Sequence, residues 1–146
     1  MEIKIVNKST NPIPTYATEG SAGMDLRASL KEFESIIIRP GERKLISTGI
    51  SIQLPKGYEA QIRPRSGLAL KNGITVLNSP GTVDMDFTGT VGVILMNQSI
   101  DNFIVNNGDR IAQMVISKYE KANFIVVDEL KETERGDGGF GHTGNL

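Results

Sequence analysis

At 146 residues the chain is long enough for one domain with a proper core and too short for two ordinary ones. Its 16 basic and 17 acidic residues leave a net charge of −1, without the basic excess of a nucleic-acid coat or a membrane-surface binder. With no cysteine and one histidine, His142, disulfides, thiolate metal sites, Cys nucleophiles and multi-His metal centres are excluded. No apolar run approaches the roughly 20 residues of a membrane span. Met1-Glu2-Ile3-Lys4-Ile5 lacks the apolar stretch of a signal peptide, so a soluble, cytoplasmic domain is expected, with no nucleic-acid or membrane partner.

The 17 Ile and 9 Val favour pleated, half-buried strands, and short runs punctuated by Gly and Pro turns predict an all-β sandwich or barrel. Ile3 and Ile5 share a face of a first strand. Ser21-Ala22-Gly23-Met24-Asp25-Leu26 surrounds one carboxylate, Asp25, that nearby backbone N–H groups can satisfy. Ile36-Ile37-Ile38 reads as a strand buried on both sides, and Arg39-Pro40-Gly41-Glu42 as the turn after it. Period-two alternation marks Ile50, Ile52 and Leu54, then, beyond the turn at Pro55-Lys56-Gly57, Tyr58, Ala60 and Ile62. Ser66 to Gly73 predicts a single short helix, with Ser66 as N-cap and Gly73 closing its end. Asn78 to Val93 reads as a hairpin closed near Thr88-Gly89, its second arm leading into Val91, Val93 and Leu95. Phe103-Ile104-Val105 and Phe124-Ile125-Val126-Val127 are expected as further strands buried on both sides. Between them Asn106-Asn107-Gly108-Asp109 makes a turn, and Arg110 opens a strand where an edge ion pair would satisfy it. The last segment, Arg135 to Gly144, holds five glycines in ten residues and cannot build a core. It is either a floppy tail or a segment that orders over a ligand.

Several of these places can carry chemistry. Pro64-Arg65-Ser66-Gly67 puts a guanidinium, a hydroxyl and backbone N–H groups at a helix start, which suits an anion. In the hairpin, Asp84 is a candidate general base, and Phe87 offers a flat face for a sugar. Gly81 and Gly92 flank it, leaving room for a flat ligand near the backbone. In the tail, Arg135, the glycine N–H groups and Thr143 can wrap phosphates while Phe140 stacks on a base. Each feature also has a plain structural reading as cap, turn, ion pair or disordered terminus.

Taken together and in order, Ala22-Gly23-Met24-Asp25-Leu26, Pro64-Arg65-Ser66-Gly67-Leu68-Ala69, Gly81-Thr82-Val83-Asp84 through Gly89, Gly108-Asp109-Arg110-Ile111-Ala112-Gln113 and Arg135-Gly136 through Gly144 resemble the five motifs of the trimeric dUTPase family. The resemblance spans nearly the whole chain. It implies a distorted jelly-roll β-barrel over residues 1–134 and a C-terminal arm, 135–146, closing over a neighbouring subunit's site in a homotrimer. The implied reaction is Mg²⁺-assisted hydrolysis of dUTP to dUMP and pyrophosphate, which limits uracil in DNA and supplies dUMP for thymidylate synthesis.

By the same resemblance Asp84 activates the water that attacks the α-phosphorus, and Arg65, Ser66, Gly67 and Gln113 bind phosphates. Asn78 and the backbone of Thr82, Val83 and Gly92 form the uracil pocket, with Phe87 under the deoxyribose where the family usually has tyrosine. Arg135, Phe140, Gly141, His142 and Thr143 belong to the closing arm. No residue is implied as a direct metal ligand, Asp25 acting through water. Thr88 and Thr90 stand where many members of the family carry Arg and Glu or Asn around this turn. A dCTP deaminase of related fold and a trimer that binds nucleotide or protein without turnover are the competing readings.

Overall fold

The computed structural model describes residues 1–139. Eleven strands and one helix follow in order among them: β1 (Lys4–Asn7), β2 (Gly23–Arg27), β3 (Ser35–Ile38), β4 (Arg43–Ser47), β5 (Ile50–Gln53), β6 (Tyr58–Arg63), α1 (Ser66–Asn72), β7 (Ile74–Val76), β8 (Gly81–Val83), β9 (Gly92–Asn97), β10 (Phe103–Asn106) and β11 (Arg110–Lys118). The alternating apolar positions explain why they form strands: Ile50, Ile52, Ala60, Ile62, Val93 and Leu95 are buried at every second residue. Every ladder is antiparallel, in the sheet orders β1-β5, β10-β3, β2-β11-β6-β8 and β4-β9-β7. Their inner faces meet in one cluster that includes Leu26, Ile38, Ile46, Ile74, Leu95, Val105 and Ile111. This is the expected all-β architecture with a single short helix, a distorted jelly roll.

The predicted turns form. At the first, the Arg39 N–H donates to the Glu42 carboxylate at 2.9 Å, and Lys44 Nζ stands 2.7 Å from the same carboxylate. That pairing with Lys44, followed by the Arg39 N–H, holds the Glu42 carboxyl below the usual carboxylate range. Gly108 adopts φ 87°, a left-handed conformation that disfavours any residue with a Cβ.

Four expectations need correction. Ser66 is not the N-cap of α1: Arg65 takes that position with extended dihedrals (φ −93°, ψ 126°) and no side-chain cap bond, so Ser66 is the first helical residue. Gly73 does close the helix, at φ 63°, its N–H reaching Ala69 O. Secondly, Ile36–Ile38 and Phe103–Val105 are not buried on both sides. Among the described residues they pair with each other alone, and the Ile37–Ile104 cross-strand pair faces outward, half exposed, while Ile38 and Val105 enter the core.

Thirdly, the two arms around Asp84 do not pair. β8 joins β6, while β9 lies between β4 and β7. The second arm is claimed elsewhere: the Val91 N–H donates to Ile50 O at 2.8 Å, and Val91 O accepts from Thr48 N and Oγ1. The segment is therefore a crossover between sheets. Fourthly, Phe124–Val127 forms no strand. β11 ends at Lys118 and no described strand offers this run an edge, leaving Phe124, Ile125 and Val126 95%, 84% and 95% exposed. Ile3 and Ile5 line an apolar surface concavity of about 470 Å³ at the margin of the core, with Met24 and with Ile52 and Met114, which belong to the core.

One buried polar residue ties several segments. The Asn97 amide donates to Ile38 O at 2.8 Å and Asp101 O at 2.7 Å, and its oxygen accepts from Ser99 N and Oγ. Asn97→Leu should lower unfolding free energy by roughly 2–4 kcal/mol, because it strands buried carbonyls and an N–H without partners. Urea unfolding checks this, and a midpoint shift within error of zero would refute it.

Candidate active site

The sheet β2-β11-β6-β8 positions the candidate residues, and its register decides which of them meet. Gln113 on β11 pairs with Asp25 on β2 and with Arg63 on β6. The chain leaves β6 through Pro64 into α1, so Arg65, Ser66 and Gly67 stand at the same end of the sheet. There Arg65 Nε donates to Asp25 Oδ1 at 2.8 Å, and Arg110 Nη1 to Asp25 Oδ2 at 3.2 Å. A further bond of 3.3 Å joins Arg65 Nη1 to Arg110 O. Asp25 is thus satisfied by two guanidinium groups rather than by local backbone, and the edge ion pair expected for Arg110 is formed.

Gln113 completes this cluster. Its Nε2 donates to Pro64 O at 2.8 Å, tying β11 to the residue before Arg65. Its carboxamide lies across Gly23, where a Cβ would overlap its oxygen. Two cations around one partly exposed carboxylate leave a net positive site beside the first N–H groups of a helix, an arrangement suited to phosphate.

The second cluster forms at the other end. Thr82, Val83, Asp84, Phe87, Val91 and Gly92 line a cleft of about 190 Å³. Asp84 leaves the end of β8, and its carbonyl accepts the Phe87 N–H at 3.2 Å, which turns the Phe87 ring back toward the cleft. Asn78 Nδ2 lies 3.2 Å from where a Cβ on Gly81 would stand, so the small residue admits the amide beside the cleft's first strand. Asp84 also borders a larger concavity of about 450 Å³ shared with Glu59, Met85, Asp86, Tyr119 and Lys121.

The two clusters do not meet within one chain. Val83 pairs with Ala60, which places Asp84 level with Glu59, whereas Arg65 lies six positions further along in sequence. At the rise of an extended strand that separation is about 20 Å. Arg135 Nε donates to Gly138 O at 2.8 Å. Phe140, Gly141, His142 and Thr143 lie outside the described residues.

Sequence reasoning omitted Arg110 from the site, although the turn at Gly108-Asp109 that aims it was legible. It also missed Glu59, Tyr119 and Lys121, which only the sheet and the exit of β11 bring beside Asp84, with no local signal. Among the described residues no three His, Cys, Asp or Glu side chains converge as a metal cage.

Solved structures share this architecture. A point mutant of the Staphylococcus bacteriophage 80alpha dUTPase with dUpNHpp superposes with a TM-score of 0.87 at 22% identity, covering 98% of each chain. A point mutant of the dUTPase from phage phi11 of S. aureus, described for its structural Mg(II) ion, gives 0.80 at 20% identity, covering 90% of this chain and 100% of that one. Both share the fold.

Sequence identifies the family. The dUTPase family model matches residues 9–144, and the deoxyuridine 5'-triphosphate nucleotidohydrolase of Finegoldia magna is 53% identical over 144 residues, 99% of each chain. The chain belongs to the dUTPase family.

Proposed function

We propose that the chain hydrolyses dUTP to dUMP and pyrophosphate, by attack of an Asp84-activated water on the α-phosphorus, at sites shared between copies of a homotrimer. Family membership makes it a dUTP diphosphatase. The mechanism is supported chiefly by one observation: Asp84 stands at the rim of a narrow cleft whose lining includes the small Gly92 and the flat Phe87. In this reading the backbone of Thr82, Val83 and Gly92, with Asn78, pairs with the uracil edge. The narrow walls leave no room for a thymine methyl, and cytosine would face donor against donor or acceptor against acceptor. Phe87 packs on the deoxyribose.

Asp84 takes a proton from the water as its oxygen bonds to phosphorus, and the bond to the bridging oxygen breaks to release pyrophosphate. Arg65, Ser66, Gly67 and Gln113 hold phosphate oxygens, and Arg135, Phe140, Gly141, His142 and Thr143 close over the nucleotide from a neighbouring chain. The donor set fits Mg²⁺ only as an ion carried by the triphosphate, with Asp25 reaching it through water, since the described residues offer no cage and guanidinium groups engage both Asp25 oxygens. When bound, the ion neutralises phosphate charge. The product dUMP would feed thymidylate synthesis, and loss of dUTP would limit uracil in DNA.

The separation of the two clusters supports a shared site. The water on Asp84 must reach the α-phosphorus, only two P–O–P links from the terminal phosphate, yet Arg65 of the same chain is about 20 Å away. A second copy can supply the missing cluster, and the exposed Phe124–Val126 run adds apolar surface of the kind that association covers.

Incubation with Mg²⁺ and, separately, dUTP, dCTP, dTTP and UTP tests the reading. Pyrophosphate and dUMP from dUTP alone are expected; ammonia from dCTP or silence with every nucleotide would overturn it. Truncation after Glu134 should cut dUTP turnover at least tenfold while leaving thermal unfolding and the number of subunits unchanged, because the arm holds phosphates only in the closed site. Full activity in the shortened chain would remove the arm from the mechanism.

A further inference from the structure

We propose that Gly89 sets the sugar selectivity of the cleft by holding the Phe87 ring in place; the inference rests on the nucleotide reading above. Gly89 does not have the positive φ found at Gly73 or Gly108, so alanine can adopt its backbone conformation. The reason for glycine lies in what surrounds it. A Cβ at this position would stand 2.7 Å from Phe87 Cζ, 3.0 Å from Cε2 and 3.5 Å from Cε1, and these three ring carbons are its nearest atoms beyond the adjoining residues. The far edge of the ring therefore occupies the space of the missing side chain.

That placement has a chemical consequence. Carbon–carbon contacts settle at ~3.5–4.0 Å, so a methyl at residue 89 would drive the nearest ring edge back by about 1 Å. The backbone need not move, because the ring is the free end of a half-exposed side chain joined by two rotatable bonds. Phe87 lines the cleft with Asp84 and Gly92, where a ring packed on C2′ denies a ribose hydroxyl both room and a hydrogen-bond partner. A ring edge displaced by an ångström no longer fits against C2′, and the packing that excludes the hydroxyl is lost. Gly89 is thus a positioning residue that touches no substrate and acts through Phe87.

The test compares wild type, Gly89→Ala, Phe87→Ala and the double variant, measuring kcat/KM for dUTP and for UTP. Gly89→Ala is expected to lower the dUTP-to-UTP ratio about tenfold, the scale set by one methyl-sized change in a fitted pocket. Its thermal midpoint should match wild type, and its Phe87 ring proton shifts should move in the NMR spectrum. In the Phe87→Ala background the same change should leave the ratio within about twofold, since the effect runs through the ring. A ratio unmoved by Gly89→Ala, or one that falls equally without the Phe87 ring, overturns the inference while wild type still cleaves dUTP. Wild type that cleaves neither nucleotide sinks the reading of the site itself, and this inference with it.

Discussion

Asp84→Asn should reduce kcat for dUTP by about 10²–10⁴-fold, the range over which a positioned general base acts. Asparagine keeps the size of the side chain and its place at the end of β8 but cannot accept the water's proton. The contacts that shape the cleft are spared, because Asp84 meets the Phe87 N–H through its backbone carbonyl. Affinity for a non-hydrolysable dUTP analogue should therefore stay within a few-fold of wild type, and the thermal midpoint should not move. Stopped-flow turnover with calorimetric binding separates the two effects. Wild-type turnover in this variant would remove Asp84 from the chemistry, whereas equal losses in binding and rate would make it a ligand for substrate and not a base.

Mixing two inactive chains should restore activity. If Asp84 of one copy works with Arg65 of another, a mixed trimer of Asp84→Asn and Arg65→Ala chains contains some sites in which both residues are intact. Random assembly from equal amounts makes such sites on the order of a quarter of the total, because each site draws one residue from each of two chains. Arg65→Ala leaves Asp25 paired with Arg110, so the cluster keeps a partner for its carboxylate. The two variants would be unfolded together, refolded and assayed against each alone. Mixed trimers verified by mass that stay as inactive as their parents would refute the shared site. Activity in Arg65→Ala alone would show that the guanidinium is dispensable.

The strands at Ile50–Leu54, Tyr58–Ile62 and Val91–Leu95 were legible in the sequence because burial on one face leaves a local record, an apolar residue at every second position. Runs of three or four apolar residues leave no such record. Ile36–Ile38, Phe103–Val105 and Phe124–Val127 look alike in composition, yet two became half-exposed strands and the third no strand at all. The outcome depended on whether another segment offered an edge, which is tertiary information. The crossover at Asp84 shows the same limit: its turn residues announce a reversal but do not name the partner, and Val91 found Ile50 and Thr48.

Motif order exposed the candidate site residues, but not their arrangement. Asp25 meets Arg65 across 40 residues and Arg110 across 85, and nothing local predicts a carboxylate held between two guanidiniums. Ser66 could not be told from an N-cap, since a hydroxyl at either the cap or the first helical position satisfies the same sequence pattern. The separation of Asp84 from Arg65 became visible only through the β6–β8 register.

The exposed run Phe124-Ile125-Val126-Val127 also bears on how the chain survives its own synthesis. Four consecutive residues of high β propensity, without proline or charge, form the type of segment that templates aggregation when left uncovered. The sequence sets charges at its flanks, Lys121 before it and Asp128 and Glu129 after it. Such gatekeepers discourage stacking of like segments while leaving the apolar stretch free for a specific partner surface. For a newly made chain, covering this run with a specific surface is then a race against disorderly association, and the acidic pair at 128 and 129 tilts that race.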